Sequence, residues 1–222
     1  MSDKKYKFTG ETKRVDGHLV HQIQLLRDLR GMKAGHIGGW IEYESNLSHV
    51  GDCWVSDSAC IFGDARVTQD AKIRETSRIF GKANVRGHAN VVNSRISGYV
   101  TIQDEAYVAG STVSSHATVG GNVILEDSSV RGKIELYGSA ELQNARLRKK
   151  RDAIWFSNVG SENGTLTVYR TKTGLHCTRG CYDGTVDEFL AEVKRTHGGK
   201  KWDSLYHELI RVAKLIMEGQ KG

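Results

Sequence analysis

Nine histidines and four cysteines are the side chains of this 222-residue sequence best suited to chemistry near neutral pH. Histidine titrates close to working pH, so one placed beside a bound hydroxyl or amine can act as general base. Three histidines fall in the central part of the chain: His49, His88 and His116. His116 follows Ser114-Ser115 and ranks first among them as a catalytic candidate. An exposed histidine on a regular scaffold is usually just a solvated polar residue, so none of the three is assigned a role from sequence.

The cysteines form two separate pairs, Cys53 with Cys60 and Cys177 with Cys181, without a disulfide framework. His176-Cys177 followed by Cys181, with His197 further on, raises a zinc site. A Cys-x3-Cys spacing is compatible with zinc, but no second ligand pair accompanies it. The expectation is structural cysteines and no metal. A third chemical feature is the basic run Arg148-Lys149-Lys150-Arg151, which could meet an acidic partner.

These residues are carried by a strict rhythm. From Val55 to Leu147 an aliphatic residue returns every six positions, beginning Val55, Ile61, Val67, Ile73, Ile79 and Val85. Gly, Asp or Asn follows most of them by two places, and a small residue by four, as in Ala59, Ala65 and Ala71. A six-residue period fits neither an amphipathic helix nor a simple alternating strand. It is the period of a parallel β-helix of hexapeptides, a class that coils left-handed, each hexad supplying one short face and one corner. Gly, Asn and Asp take the left-handed backbone that a tight corner needs. The step shortens to five residues at Val91, Val108, Leu125 and Leu142, so a coil is 18 residues early and 17 later. In the shortened hexads Ser94, Ser111, Ser128 and Ala145 should form one vertical file. The fold class predicted is mainly β, a left-handed prism over residues 41–147. At roughly 4.8 Å per stacked strand, its five to six coils make a rod about 25–30 Å long.

Both open ends need covers, because exposed strand edges invite association. Residues 1–40 read as a β-hairpin around Asp16-Gly17 followed by a glycine-rich lead-in. Residues 148–222 read as a small α+β domain. Its strands are expected near 153–159, 165–171 and 175–178. Thr185-Val186-Asp187-Glu188 is a capping box opening a helix to about His197. A second helix over 204–218 would bury Leu205, Leu209, Val212 and Ile216.

Of the net charge of +6, residues 148–222 carry +5. These cations are dispersed and no nucleic-acid-binding signature accompanies them, so nucleic acid is not expected. Outward positions pair Phe62 with Phe80 and Tyr107 with Ile124, each one coil apart. Contiguous outward apolar residues imply a cover. It could be the N-terminal hairpin, a homotrimer or another protein. No apolar run approaches transmembrane length, and with unpaired cysteines the expected location is a reducing cytoplasm.

The stretch Ile37-Gly38-Gly39-Trp40-Ile41-Glu42-Tyr43-Glu44-Ser45-Asn46-Leu47-Ser48, running into Trp54-Val55-Ser56-Asp57-Ser58-Ala59, resembles a phage- and prophage-encoded hexapeptide-repeat family commonly labelled transferase. Gly180-Cys181-Tyr182-Asp183-Gly184-Thr185, with Thr196-His197-Gly198, is similar to a C-terminal module of phage proteins. Hexapeptide acyltransferases use a histidine base, with acyl-CoA lying between subunits of a trimer. The resemblance therefore implies either of two functions. The first is a non-catalytic, phage-derived binding or inhibitor protein, directed at a host defence protein or a small nucleotide ligand without a cofactor. Its contacts would be Lys149, Lys150 and Arg151, or the Phe62, Phe80, Tyr107 and Ile124 positions. The alternative is an acyl-CoA-dependent acyltransferase using acetyl-CoA. From sequence the binding protein is the leading expectation and enzymatic activity is uncertain.

Overall fold

Each hexad folds as a strand of two to four residues and a corner, and the strands stack into three parallel sheets. The computed structural model describes residues 4–218. Val55, Ile73, Val91, Val108, Leu125 and Leu142 pair in register along one face. Ile61, Ile79, Ile96, Val113, Val130 and Leu147 form the second column. Val67, Val85, Ile102, Val119 and Leu136 form the third. All of these are buried in one continuous core. The protein is thus a mainly β chain built on a parallel β-solenoid of about six turns, as its period predicts.

The shortened hexads carry a hydrogen-bond ladder. The Ser94 N–H donates to Ser77 Oγ at 3.3 Å, Ser111 N–H to Ser94 Oγ at 3.0 Å, Ser128 N–H to Ser111 Oγ at 3.0 Å, and Ala145 N–H to Ser128 Oγ at 2.8 Å. Each hydroxyl from Ser94 onward donates to the carbonyl two residues before it. A five-residue step leaves this amide without a backbone partner, and the serine one coil earlier supplies one. Serine suits the file because it is small and can both donate and accept.

The N-terminal hairpin, Tyr6–Val15 with His18–Leu25, covers the first coil. Tyr6, Ile23, Leu25 and Leu29 enter the solenoid core, and the Tyr6 hydroxyl donates to Leu47 O at 2.8 Å. Lys5 is fully buried, its ammonium donating to Cys53 O at 2.7 Å and Gly51 O at 3.2 Å, with Cys53 Sγ at 3.1 Å. Desolvation is the chief cause that lowers its pKa, partly opposed by Cys53. Lys5→Met should lower the unfolding free energy by about 1–3 kcal/mol, because the buried Cys53 carbonyl and the half-buried Gly51 carbonyl lose their donor. A denaturant midpoint equal to wild type would contradict this anchoring role.

The hairpin also settles the Phe62–Phe80 face. The two rings do stack, 5.1 Å apart, but Phe62 is only 1% exposed. Val20 and Val15 pack on it, and His18 lies against its ring. Arg78 and Arg95 reach Asp16 in the hairpin turn, at 3.1 and 3.4 Å, and Arg95 also covers Phe80. The expectation of Phe62 as a contact for another protein is therefore corrected: the chain's own hairpin occupies that face.

At the other end, four antiparallel strands run Ala153–Val159, Gly164–Arg170, Leu175–Arg179 and Tyr182–Thr185. The last was not anticipated, because four residues after a tight turn carry little periodic signal. The sheet satisfies the open edge of the final coil with side chains. Glu141 N–H donates to Thr167 Oγ1 and Gln143 N–H to the Tyr169 hydroxyl, each at 3.2 Å, while Thr178 Oγ1 donates to Glu141 O at 2.6 Å. Two helices, α1 (Val186–His197) and α2 (Lys201–Glu218), pack on its other face. Thr185 caps α1 as its sequence predicts, accepting the Glu188 N–H at 3.2 Å.

The buried stripe of α2 is Tyr206, Ile210, Ala213 and Met217, one residue on from the expected one. Leu205, Leu209 and Val212 are half-buried at its flank, and Ile216 is 39% exposed. The aromatic ring decides the rotation: Tyr206 meets Phe189 of α1 edge-on at 5.3 Å, which aligning aliphatic residues alone overlooks. Neither helix of the described residues is long and apolar enough to cross a membrane.

Candidate functional site

The early coils are 18 residues long, so Asp52, Asp70 and His88 fall at one corner in three successive coils. The backbone confirms the stacking: Asp70 N–H donates to Gly87 O at 3.0 Å, and His88 N–H to Asp104 O at 2.7 Å. Asp70 Oδ1 accepts the Asp52 N–H at 2.9 Å, which leaves Oδ2 facing His88 Nδ1 at 3.8 Å. That separation is too long for a hydrogen bond but brings the carboxylate beside the ring nitrogen. Catalytic pairs are often this loose without substrate and tighten once it is bound. Gly87 is required beside the histidine, since its φ is +71° and a Cβ there would lie 2.7 Å from Asp104 N.

His88 and Asp70 stand between two clefts. One, of about 280 Å³, lies under the Leu29–Met32 bridge of the lead-in and over an outer face of the solenoid. Arg30, Lys72 and Arg74 give it a cationic wall, opposed by the carboxylates of Asp52 and Asp70, and Trp54 an aromatic one. In the outward column Trp54–Lys72–Asn90, Trp54 Nε1 and Asn90 Oδ1 are buried without partners among the described residues. The other cleft, about 730 Å³ and more open, adds Asp104 and Glu105 to the same Asp70–His88 pair.

The remaining histidine candidates are placed differently. His49 accepts the Lys5 N–H at Nδ1, 3.2 Å away, and stacks on Tyr6 at 4.3 Å. Desolvation is the main influence that lowers its pKa, so it serves the N-terminal anchor as a neutral acceptor. His116 is exposed and stacked on Tyr99 at 4.9 Å, with no carboxylate in ion-pair range among the described residues. Geometry therefore favours His88 over His116, reversing the order expected from sequence. Asp70 was missed, although applying the 18-residue coil to polar positions would have found it.

Tyr107 and Ile124 are outward neighbours in register, further along the face of Lys72, and line neither of the His88 clefts. The zinc candidates are not brought together. Cys177 is fully buried in the C-terminal core, while His176, its strand neighbour, points to the opposite face and Cys181 lies exposed in a turn. Burial pushes the Cys177 thiol up to about 12, against the thiolate zinc requires. No group of three or more potential metal ligands exists among the described residues. Lys149 lines a separate cleft, Lys150 reaches Glu135 at 3.5 Å, and Arg151 is exposed.

Fold and site together define a hexapeptide-type parallel β-solenoid with a histidine–aspartate pair between two clefts. No protein-family model matches the sequence. Over 90 residues, 40% of this chain, it is 33% identical to the "Uncharacterized acetyltransferase YdcK" of Escherichia coli (strain K12). The matched stretch spans 27% of that protein's length.

Proposed function

We propose that this protein transfers an acyl group from an acyl-CoA to an amine-bearing acceptor, with His88 as general base and Asp70 as the residue that orients it. The observation that carries this reading is the His88–Asp70 contact at the junction of a cationic and an acidic cleft. Similarity to a protein named as an acetyltransferase supports acyl transfer, and gives nothing to the phage-derived binding protein. Arg30, Lys72 and Arg74 suit the phosphates of CoA, while Asp104 and Glu105 suit a cationic amine.

In the reaction the acceptor amine, having released its extra proton to solvent so that its lone pair is free, attacks the thioester carbonyl. The new C–N bond forms, His88 takes the proton, and collapse of the tetrahedral intermediate breaks the C–S bond. The proton on His88 then passes to the leaving thiolate, giving free CoA thiol. Asp70 stabilises the imidazolium and fixes which nitrogen faces the acceptor. The test is release of free thiol from acetyl-CoA in the presence of polyamine, amino-sugar and alcohol acceptors. Saturable acceleration by amines is expected. Release that no acceptor raises above uncatalysed hydrolysis would overturn the proposal.

A further inference from the structure

The geometry points to a second binding site, for a small oligophosphate, where the last coil meets the C-terminal sheet. The bridge between Ala145 and Thr171 joins the two parts there. Arg146 and Arg148 stand two apart on the outward side of the final solenoid strand, since Leu147 between them points inward. Arg170 and Lys172, also two apart, flank Thr171 on the other side of the bridge. With Lys149 these cations line one cleft of about 770 Å³.

One of the two carboxylates that line the cleft is already engaged. Asp152 is buried, and its Oδ2 accepts the Arg148 and Lys149 N–H groups at 2.7 and 2.8 Å. Its Oδ1 faces Arg170 Nε at 3.3 Å, and Arg170 Nη2 donates to Met217 O at 3.1 Å. Arg170 is thereby held in place. Arg146, Arg148, Lys149 and Lys172 have no carboxylate in ion-pair range among the described residues, and Glu218 is the other acid lining the cleft. Four unpaired cations gathered around a concavity repel one another, and a multivalent anion relieves that repulsion. Arginine forks match phosphoryl oxygens in particular.

The lining also says which phosphate ligand fits. It contains no aromatic side chain, so it offers no platform on which a base could stack. The cations line one open concavity on both sides of the Ala145–Thr171 bridge instead of forming a stripe along which a nucleic-acid backbone could run. Recognition is therefore of a chain of two or more phosphoryl groups. The site lies three coils from that of His88, roughly 14 Å along the prism at about 4.8 Å per strand, and is independent of the acyl-transfer reading.

The probe is inorganic tripolyphosphate, titrated calorimetrically into the full chain at near-physiological ionic strength. Binding on the order of 10-fold tighter than orthophosphate is expected, and it should persist in Lys72→Glu/Arg74→Glu, which alters the other cationic cleft. Arg146→Gln/Arg148→Gln should weaken it on the order of 30-fold, as charge-assisted contacts from two arginines are lost. Both side chains are exposed, so the melting temperature should not change, and Lys172→Gln gives a second reading if it does. Lys150→Gln, outside the cleft, should bind as wild type. Absence of tripolyphosphate binding, an equal loss in Lys150→Gln, an unchanged affinity in the double variant, or binding of oligonucleotides alone would each overturn the site.

Discussion

Ile79→Asp is expected to abolish cooperative folding. Ile79 is fully buried and stacked in register between Ile61 and Ile96, where water does not reach. An ionised carboxylate there has no partner, and even its neutral form costs several kcal/mol without hydrogen bonds. That is a large part of the roughly 5–15 kcal/mol that holds a typical domain together. Ile79→Val, which removes one methylene from the same place, should cost only about 0.5–1.5 kcal/mol. Chemical denaturation monitored by circular dichroism compares them. An Ile79→Asp midpoint equal to that of Ile79→Val would contradict the column.

His88→Ala should reduce kcat/KM by a factor of about 10² to 10⁴, the range that positioned proton transfer contributes. Its melting temperature should match wild type, because the side chain is largely exposed and supports no core contact. Asp70→Asn should cause a smaller loss in the same direction, since it keeps the shape but removes the charge that favours imidazolium. His116→Ala should leave the rate unchanged. Full activity in His88→Ala would remove the proposed base, and loss in His116→Ala would move it to another corner.

Much of the solenoid is legible in the sequence because each slot answers to a local demand. Inward positions accept only aliphatic side chains, and corners favour residues that tolerate positive φ, as Asp104 does at 59°. The file of Ser94, Ser111 and Ser128 is readable from the shortened steps alone. Its extension to Ser77 is not, because Ser77 belongs to a full six-residue step and enters only by accepting the Ser94 N–H.

What escaped the sequence depends on distant segments meeting. Phe62 reads as outward, which it is, but its cover is a hairpin more than forty residues earlier in the chain. The rotation of α2 depends on where Tyr206 meets Phe189. The basic run is visible at 148–151, yet the cleft takes only Arg148 and Lys149 from it and draws Arg170 and Lys172 from the end of a strand that only docking brings near. The His88–Asp70 pair lies between these cases. Coil length determines it, but polar corner positions carry no regular apolar period that would make the pair stand out.

The central claim is that the clefts around His88 receive an acyl-CoA, and equilibrium binding tests it most directly. Acetyl-CoA titrated into the wild-type chain should bind one-to-one and, at about 100 times its Kd, stabilise the fold by about 2.7 kcal/mol. Lys72→Glu/Arg74→Glu replaces two exposed cations of the cleft wall with acids, and should abolish both the binding and the stabilisation. Failure of the wild-type chain to bind acetyl-CoA, or undiminished binding by the charge-reversed variant, would contradict the account.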